Sequence, residues 1–205
     1  MRPQEEAILG AMKGGVFELD APFLTASEVV TAVQLACVAL GAPVGHRGEF
    51  SLTTLKNLHR RGLFSTYAAR PDLRNHLYSA IDVVRLATIS YVSNFGMPIE
   101  VGSGVGEAIV EILKGPGFGH QDDDLAVLFV RMERGEQNES NYTIHKPDYE
   151  GPGGADPQAF FSRRAPAALI VHWGRIATIA SETAHAYWFD KAKKLKNKLE
   201  AMLPK

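Results

Sequence analysis

The sequence predicts an α+β fold that is mainly helical. Three observations lead to this class: a capped helix near residue 25, a short cationic helix near residue 52, and apolar strand-like runs after residue 120. With 205 residues, the chain is long enough for one or two compact domains with buried cores. We divide it into an N-terminal arm at 1–23, a helical domain at 24–116, and a small α+β region at 117–205 that ends in a long helix.

The first predicted helix begins after Thr25. Glu28 follows three residues later, which is the spacing of a capping box, in which each side chain bonds the other residue's backbone N–H. Val29 and Val33 lie on one helical face, and Ala36 and Leu40 extend it. The glycine and proline of residues 41–43 end the helix, and a turn carries the chain to residue 50.

A second predicted helix at 52–61 has two chemically different sides. Leu52, Leu55 and Leu58 share one face, and Gly62 suits the left-handed turn that often follows a helix. The remaining side chains are of the types that reach base edges and phosphates in a DNA major groove: Thr53, Thr54, Lys56, Asn57, Arg60 and Arg61. The alternative interpretation is an ordinary solvated surface helix.

Residues 65–76 lack helical periodicity. The segment at 65–78 contains the polar and cationic side chains Arg70, Arg74, Asn75, His76 and Tyr78. Ser79 then caps a new helix, with Asp82 in its positively polarised first turn. That helix continues to Gly96. Another helix around residues 105–113 ends at the glycines and proline of residues 115–117.

The charge of the chain is unevenly distributed. The whole protein carries a formal charge of −1, which by itself indicates no nucleic-acid binding. Residues 46–85, however, contain seven lysines and arginines against three acidic residues, a net charge of +4 with histidines neutral. A basic patch on an otherwise acidic chain is typical of a module that contacts DNA.

Residues 54–64 and 77–86, in this order and at this separation, resemble the winged helix-turn-helix of the MerR-type family, with the likeness covering about residues 24–113. The resemblance implies that helix 52–61 lies in the major groove and that the loop at 65–78 forms a wing over the DNA backbone. It places Lys56 where the family usually has a DNA-contacting arginine, and His76 near the usual wing arginine. The turn between the first two helices is longer than in the family.

The partners that the resemblance implies are double-stranded DNA and a second copy of the chain, forming a dimer that reads paired half-sites. The expected DNA-contacting residues are Thr53, Thr54, Lys56, Asn57, Arg60, Arg61, Arg70, Arg74, Asn75, His76 and Tyr78.

The same residues argue against other classes of function. Cys37 is the one cysteine of the chain, so a disulfide within the chain and a multi-cysteine metal site are excluded. We find no catalytic motif and expect no enzyme, no cofactor and no metal. No apolar run reaches the length that spans a bilayer, so we expect no membrane partner and a cytoplasmic, or in bacteria nucleoid-associated, protein.

The predicted function is therefore sequence-specific transcriptional regulation through double-stranded DNA. Two alternatives remain: a phage-type or chromosome-associated DNA-binding protein without a sensing role, and a protein-interaction adaptor that reuses the fold. The sequence indicates no small-molecule effector and does not distinguish activation from repression.

The C-terminal region is predicted from shorter signals. Residues 125–130 and 141–145 suit strands, and residues 167–180 suit either two strands around Trp173 or one helix. Ser181 is the expected cap of a helix at 181–203. Its apolar residues recur at alternating spacings of four and three: Trp188, Ala192, Leu195, Leu199 and Met202. Such a helix either packs on its own domain or pairs across a dimer axis.

Overall fold

A computed structural model describes residue 8 and residues 19–41, 49–66, 77–114, 127–134, 140–145 and 167–201. The protein is mainly helical, as the sequence predicts. In chain order the elements are α1 (Ala26–Ala39), α2 (Leu52–Arg60), α3 (Ala80–Asn94), α4 (Ile99–Lys114), β1 (Val127–Arg134), β2 (Ser140–His145), β3 (Ala167–His172) and α5 (Trp173–Ala201). In the described part of the chain, none of the helices combines the length and apolar character required to cross a membrane.

Two capping boxes set the starts of α1 and α3; the box at Thr25 and the cap at Ser79 were both predicted, and the reciprocal bond to Asp82 was not. The backbone N–H of Thr25 donates to Glu28 Oε2 at 2.8 Å, and the Thr25 hydroxyl accepts from the Glu28 N–H. Ser79 and Asp82 form the same arrangement, with Ser79 N–H donating to Asp82 Oδ2 at 2.9 Å. Each box satisfies backbone donors that have no partner inside the helix.

The core is organised around α3, which packs against α1, α4 and α5. Four consecutive or nearly consecutive residues of α3 are fully buried: Val83, Val84, Leu86 and Ala87. The helix is therefore in apolar contact on all sides and not along one face alone. α5 contributes Ile176, Ala180 and other side chains to the same apolar cluster. Within the described residues, the end of the chain therefore shares a core with the predicted N-terminal domain, and the boundary at residue 116 stays a prediction.

α3 and α4 approach closely because α4 has glycines where the two helices meet. A Cβ atom added at Gly102 would lie 3.0 Å from the Cα of Ile89, and one at Gly106 would lie 3.3 Å from the carbonyl oxygen of Arg85. Both neighbouring atoms are backbone atoms of α3, which cannot turn away as a side chain does. The close approach of the two helices therefore favours glycine at both positions, and more strongly at Gly102.

The three strands form an antiparallel sheet with the order β2-β1-β3. Val130 in the central strand lies opposite Ile144 of β2 and Leu169 of β3. The predicted strands at 125–130 and 141–145 are thus found with shifted bounds.

α5 begins earlier than predicted. The structure places one strand, β3, before Trp173, and starts the helix at Trp173 itself. Ile176, Ala177 and Ala180 are all buried and recur at helical spacing, which explains why this apolar run is helical. Ser181 consequently lies inside the helix and is not its cap. A short apolar run fits a strand and a helix equally well when only its sequence is considered.

α5 packs within its own chain, on α1 and α3. Ala184, Ala192 and Leu195 are buried, and Trp188 packs against the same cluster. The predicted apolar pattern of this helix ends with Leu199 and Met202. The Leu199 side chain and Met202 lie outside the described residues. Within one copy of the chain, α5 therefore packs on helices of the region predicted as the N-terminal domain, and pairing across a dimer axis stays a prediction.

An ion pair joins α5 to the start of α1. Lys191 Nζ donates to Glu28 Oε2 at 2.6 Å and to the carbonyl oxygen of Phe23 at 2.7 Å. Partial burial of the Glu28 carboxyl acts to raise its pKa, but the hydrogen bonds from Lys191 and Thr25 outweigh burial and leave the pKa below its usual value.

We expect Glu28→Gln to destabilise the protein at neutral pH and to matter less in acid. The amide keeps the capping geometry but loses the charge, which is worth about 1–2 kcal/mol in a charge-assisted hydrogen bond. Because the folded-state pKa is lowered, this stabilisation is present above the unfolded pKa of about 4.3 and is lost as pH falls through the folded value. Urea unfolding of Glu28→Gln at pH 7 and pH 3, with the exposed Glu182→Gln as control, measures it. An equal loss at both pH values would contradict the assignment.

Candidate nucleic-acid interface

α2 is held by two buried leucines. Leu55 and Leu58 are almost completely buried, and Phe50 and Phe64 are buried at either end of the segment. Leu52, predicted to share this inner face, is instead 43% exposed. It occupies the first helical position after the cap at Ser51, beyond the reach of the surrounding core. The inner face of α2 is therefore narrower than predicted.

Hydrogen bonds at both ends fix the position of α2. Ser51 caps the helix by accepting from the Thr54 N–H at 3.2 Å, and Gln34 Nε2 of α1 donates to the Phe50 carbonyl oxygen at 2.7 Å. After the helix, Gly62 adopts a φ of +67°, the left-handed stop predicted for it. The Ser103 hydroxyl of α4 then donates to the Leu63 carbonyl oxygen at 2.6 Å.

The outer face of α2 is exposed and cationic. Thr53, Lys56, Asn57 and Arg60 are all exposed, and their spacing of three and four residues places them on one side of the helix. Thr54 is half-buried, and its hydroxyl lies 3.0 Å from the Ser51 hydroxyl. The sequence has no acidic residue between Glu49 and Asp72. We call the four exposed residues the α2 face.

Arg61 lies at the end of α2 and turns to a different partner. Its guanidinium forms an ion pair with the Glu100 carboxylate at the start of α4, and both side chains are about half exposed. The pair offsets part of the charge that Arg61 would offer to a phosphate. Among the described cations predicted to contact DNA, Lys56 and Arg60 are thus the more available.

Tyr78 is the member of the predicted set that the structure buries. Only 3% of its surface is exposed, and its ring stacks on Phe64 with the ring centres 6.4 Å apart. Its hydroxyl lies 3.2 Å from His59 Nε2. Burial, together with the nearby Asp82 carboxylate, raises the pKa of Tyr78 to about 12. The pairing of its backbone with Leu24 turns the ring inward, so we assign Tyr78 to the support of α2 and not to its exposed face.

The other predicted contacts fall in the stretch of sequence after α2. Arg70, Arg74, Asn75 and His76 lie outside the described residues, as does most of the segment proposed as a wing. Their role stays a prediction from the sequence.

Arg85, counted in the basic stretch of the sequence, does not add to a surface charge. It is 5% exposed, and its guanidinium pairs with Glu107 of α4 and lies 3.8 Å from Asp82. It also donates to the Ser65 carbonyl oxygen at 2.7 Å and lies 4.7 Å from the centre of the Phe64 ring. Sequence reasoning missed this structural role, although Arg85 interrupts an apolar run from Val83 to Ala87 and so signals burial.

Metal-ligating side chains and the cysteine are the remaining groups with a chemistry of their own. No group of three or more histidine, cysteine, aspartate or glutamate side chains that could hold a metal occurs in the part of the chain that the structure describes. Cys37 is 8% exposed, with Sγ 4.0 Å from the Ala87 carbonyl oxygen, and burial raises the pKa of its thiol. It therefore packs as a small hydrophobe.

A scan against protein-family models and a search of curated proteins returned no match to this chain.

Proposed function

We propose that this protein binds double-stranded DNA through the α2 face and acts as a dimeric transcriptional regulator. The observation that carries the proposal is the two-sided character of α2. Leu55 and Leu58 anchor one side in the core, while the other side offers exposed amide, hydroxyl and cationic groups with no acidic residue among them. A rigidly held helix with such an outer face is what major-groove recognition requires.

The proposed mechanism is binding to DNA, without a chemical reaction. Lys56 and Arg60 displace counterions from phosphates, which makes the affinity depend on salt. Thr53 and Asn57, on the same side of the helix, address base edges, and asparagine in particular pairs with adenine through two hydrogen bonds. A second copy of the chain would place a second α2 face on the other half of a near-palindromic site.

The order of elements supports a winged helix-turn-helix of the MerR type. A hydrogen bond from Gln34 of α1 to the Phe50 carbonyl oxygen links α1 to the start of the α2 segment, and a stretch of sequence with several cationic residues separates α2 from the capped helix α3. In this proposal the loop at 65–78 acts as the wing, and the cell compartment is the cytoplasm or nucleoid, where DNA is accessible.

Lys56→Ala and Arg60→Ala are expected to weaken DNA binding without unfolding the protein. Each variant removes one proposed phosphate contact, so the slope of log K against log salt should fall by about 0.9. Fluorescence anisotropy with a random-sequence duplex, and with a duplex selected by the wild type, measures both affinity and slope. Thermal unfolding should stay nearly unchanged, because exposed substitutions usually alter stability by less than about 0.5 kcal/mol.

Two control variants sharpen this experiment. Lys193→Ala removes an exposed cation from α5 and should leave the affinity unchanged, whereas Arg61→Ala should cause a smaller loss than Arg60→Ala because of its ion pair with Glu100. Wild-type affinity in both Lys56→Ala and Arg60→Ala would remove the proposed surface. Genome-wide occupancy concentrated at promoters tests the regulatory role, and dispersed occupancy contradicts it.

A further inference from the structure

A cleft lies where the end of α1, the helix α3 and the start of α5 meet. Its volume is about 340 Å³, within the range of small-molecule sites. The residues that line it are Leu40, Tyr91, His172, Arg175, Ile176, Thr178 and Ile179. None of them belongs to the predicted DNA-contacting set.

One part of this lining is apolar. Ile176 is 1% exposed and Leu40 is 9% exposed, so both belong to the core and form a stable floor. Ile179 is partly buried and packs against the same cluster. Ile179 and Tyr91, which are only partly buried, keep apolar surface open to water, and a ligand that covers this surface gains free energy in proportion to the area removed from water.

The other part is polar and cationic. Arg175, His172 and Thr178 are exposed, and the side chains of all three make no hydrogen bond or ion pair with another described residue. Tyr91 contributes a phenol beside them. Among the described residues that line the cleft, none is acidic. The Arg175 guanidinium is therefore not neutralised by any described neighbour.

We propose that this cleft binds a small organic monocarboxylate with an apolar body. The planar guanidinium of Arg175 matches the two oxygens of a carboxylate, and the hydroxyls of Thr178 and Tyr91 offer further donors. The apolar floor takes the rest of the ligand. This site stands apart from the proposed DNA contact, so binding is measured on the protein alone and its failure leaves the DNA proposal intact.

The test uses benzoate as probe, with benzamide, acetate and inorganic phosphate as comparisons. Titration of the ¹⁵N-labelled full chain by NMR should show saturable benzoate binding, with the largest amide shifts between residues 172 and 179. Benzamide should bind at least about tenfold more weakly because it lacks the charge that strengthens a hydrogen bond to a guanidinium. Acetate should also bind at least about tenfold more weakly because it lacks the apolar body that covers the floor of the cleft.

Arg175→Gln should weaken benzoate binding about 10- to 100-fold, while Lys193→Gln, an exposed cation farther along the same helix, should not change it. Circular dichroism and thermal unfolding establish that both variants are folded. Absence of saturable shifts with the wild type, equal binding of benzamide, phosphate binding as tight as benzoate binding, or unchanged affinity in folded Arg175→Gln would each overturn the proposal.

Discussion

Gly102→Val is expected to destabilise the protein by about 3 kcal/mol, near the upper end for an overpacked core. The added Cβ would lie 3.0 Å from the Cα of Ile89, a backbone atom that cannot move without shifting α3. Valine adds two further carbons at the same place. The helices α3 and α4 must then separate, and the apolar contacts of the central helix with its neighbours weaken.

Thermal unfolding measures this effect as a fall in Tm of about 6–12 °C for a chain of this size. Glu111→Val, at an exposed position of the same helix, is the control for the helix propensity of valine and should cost less than about 1 kcal/mol. A Gly102→Val variant as stable as the wild type would show that the helices do not touch at this point.

Arg85→Met is expected to cost about 3–5 kcal/mol, the range measured when one partner of a buried ion pair is removed. Methionine keeps much of the apolar stem, so the loss isolates the guanidinium. Without it, the fully buried Asp82 carboxylate loses its nearby cation, and the Ser65 carbonyl oxygen loses its donor. Phe64, which is buried just after the end of α2, loses the guanidinium that lies beside its ring.

Urea unfolding measures the loss, with Arg61→Met as the control. Arg61 and Glu100 form an ion pair of half-exposed side chains, and such pairs contribute at most about 1 kcal/mol. Equal effects of Arg85→Met and Arg61→Met would contradict the structural role of Arg85. Glu107→Gln should fall between them, because the Glu107 side chain is 52% exposed.

Features that depend on neighbouring residues were predictable from the sequence. Thr25 with Glu28 and Ser79 with Asp82 start their helices where predicted, and Gly62 ends α2. Capping and left-handed turns involve atoms only a few residues apart, so the local sequence contains the whole interaction. The exposed face of α2 followed in the same way from helical spacing.

Burial was harder to predict, and Tyr78 and Arg85 show why. Tyr78 was expected to contact DNA, and Arg85 was counted in the basic stretch, yet Tyr78 packs against His59 and Phe64 and Arg85 pairs with Glu107. Their partners lie 14 to 22 residues away in the sequence, and no local pattern identifies them. The strand or helix identity of residues 176–180 was ambiguous for the same reason.

From sequence alone came the mainly helical class, the helix ends set by caps and glycines, and the two-sided character of α2. Tertiary structure alone decided which charges are exposed, where α5 begins, and that α5 packs on its own chain. The physical reason is the range of the interactions: caps and turns close within one helical turn, whereas burial and ion pairing depend on which distant segments share a core.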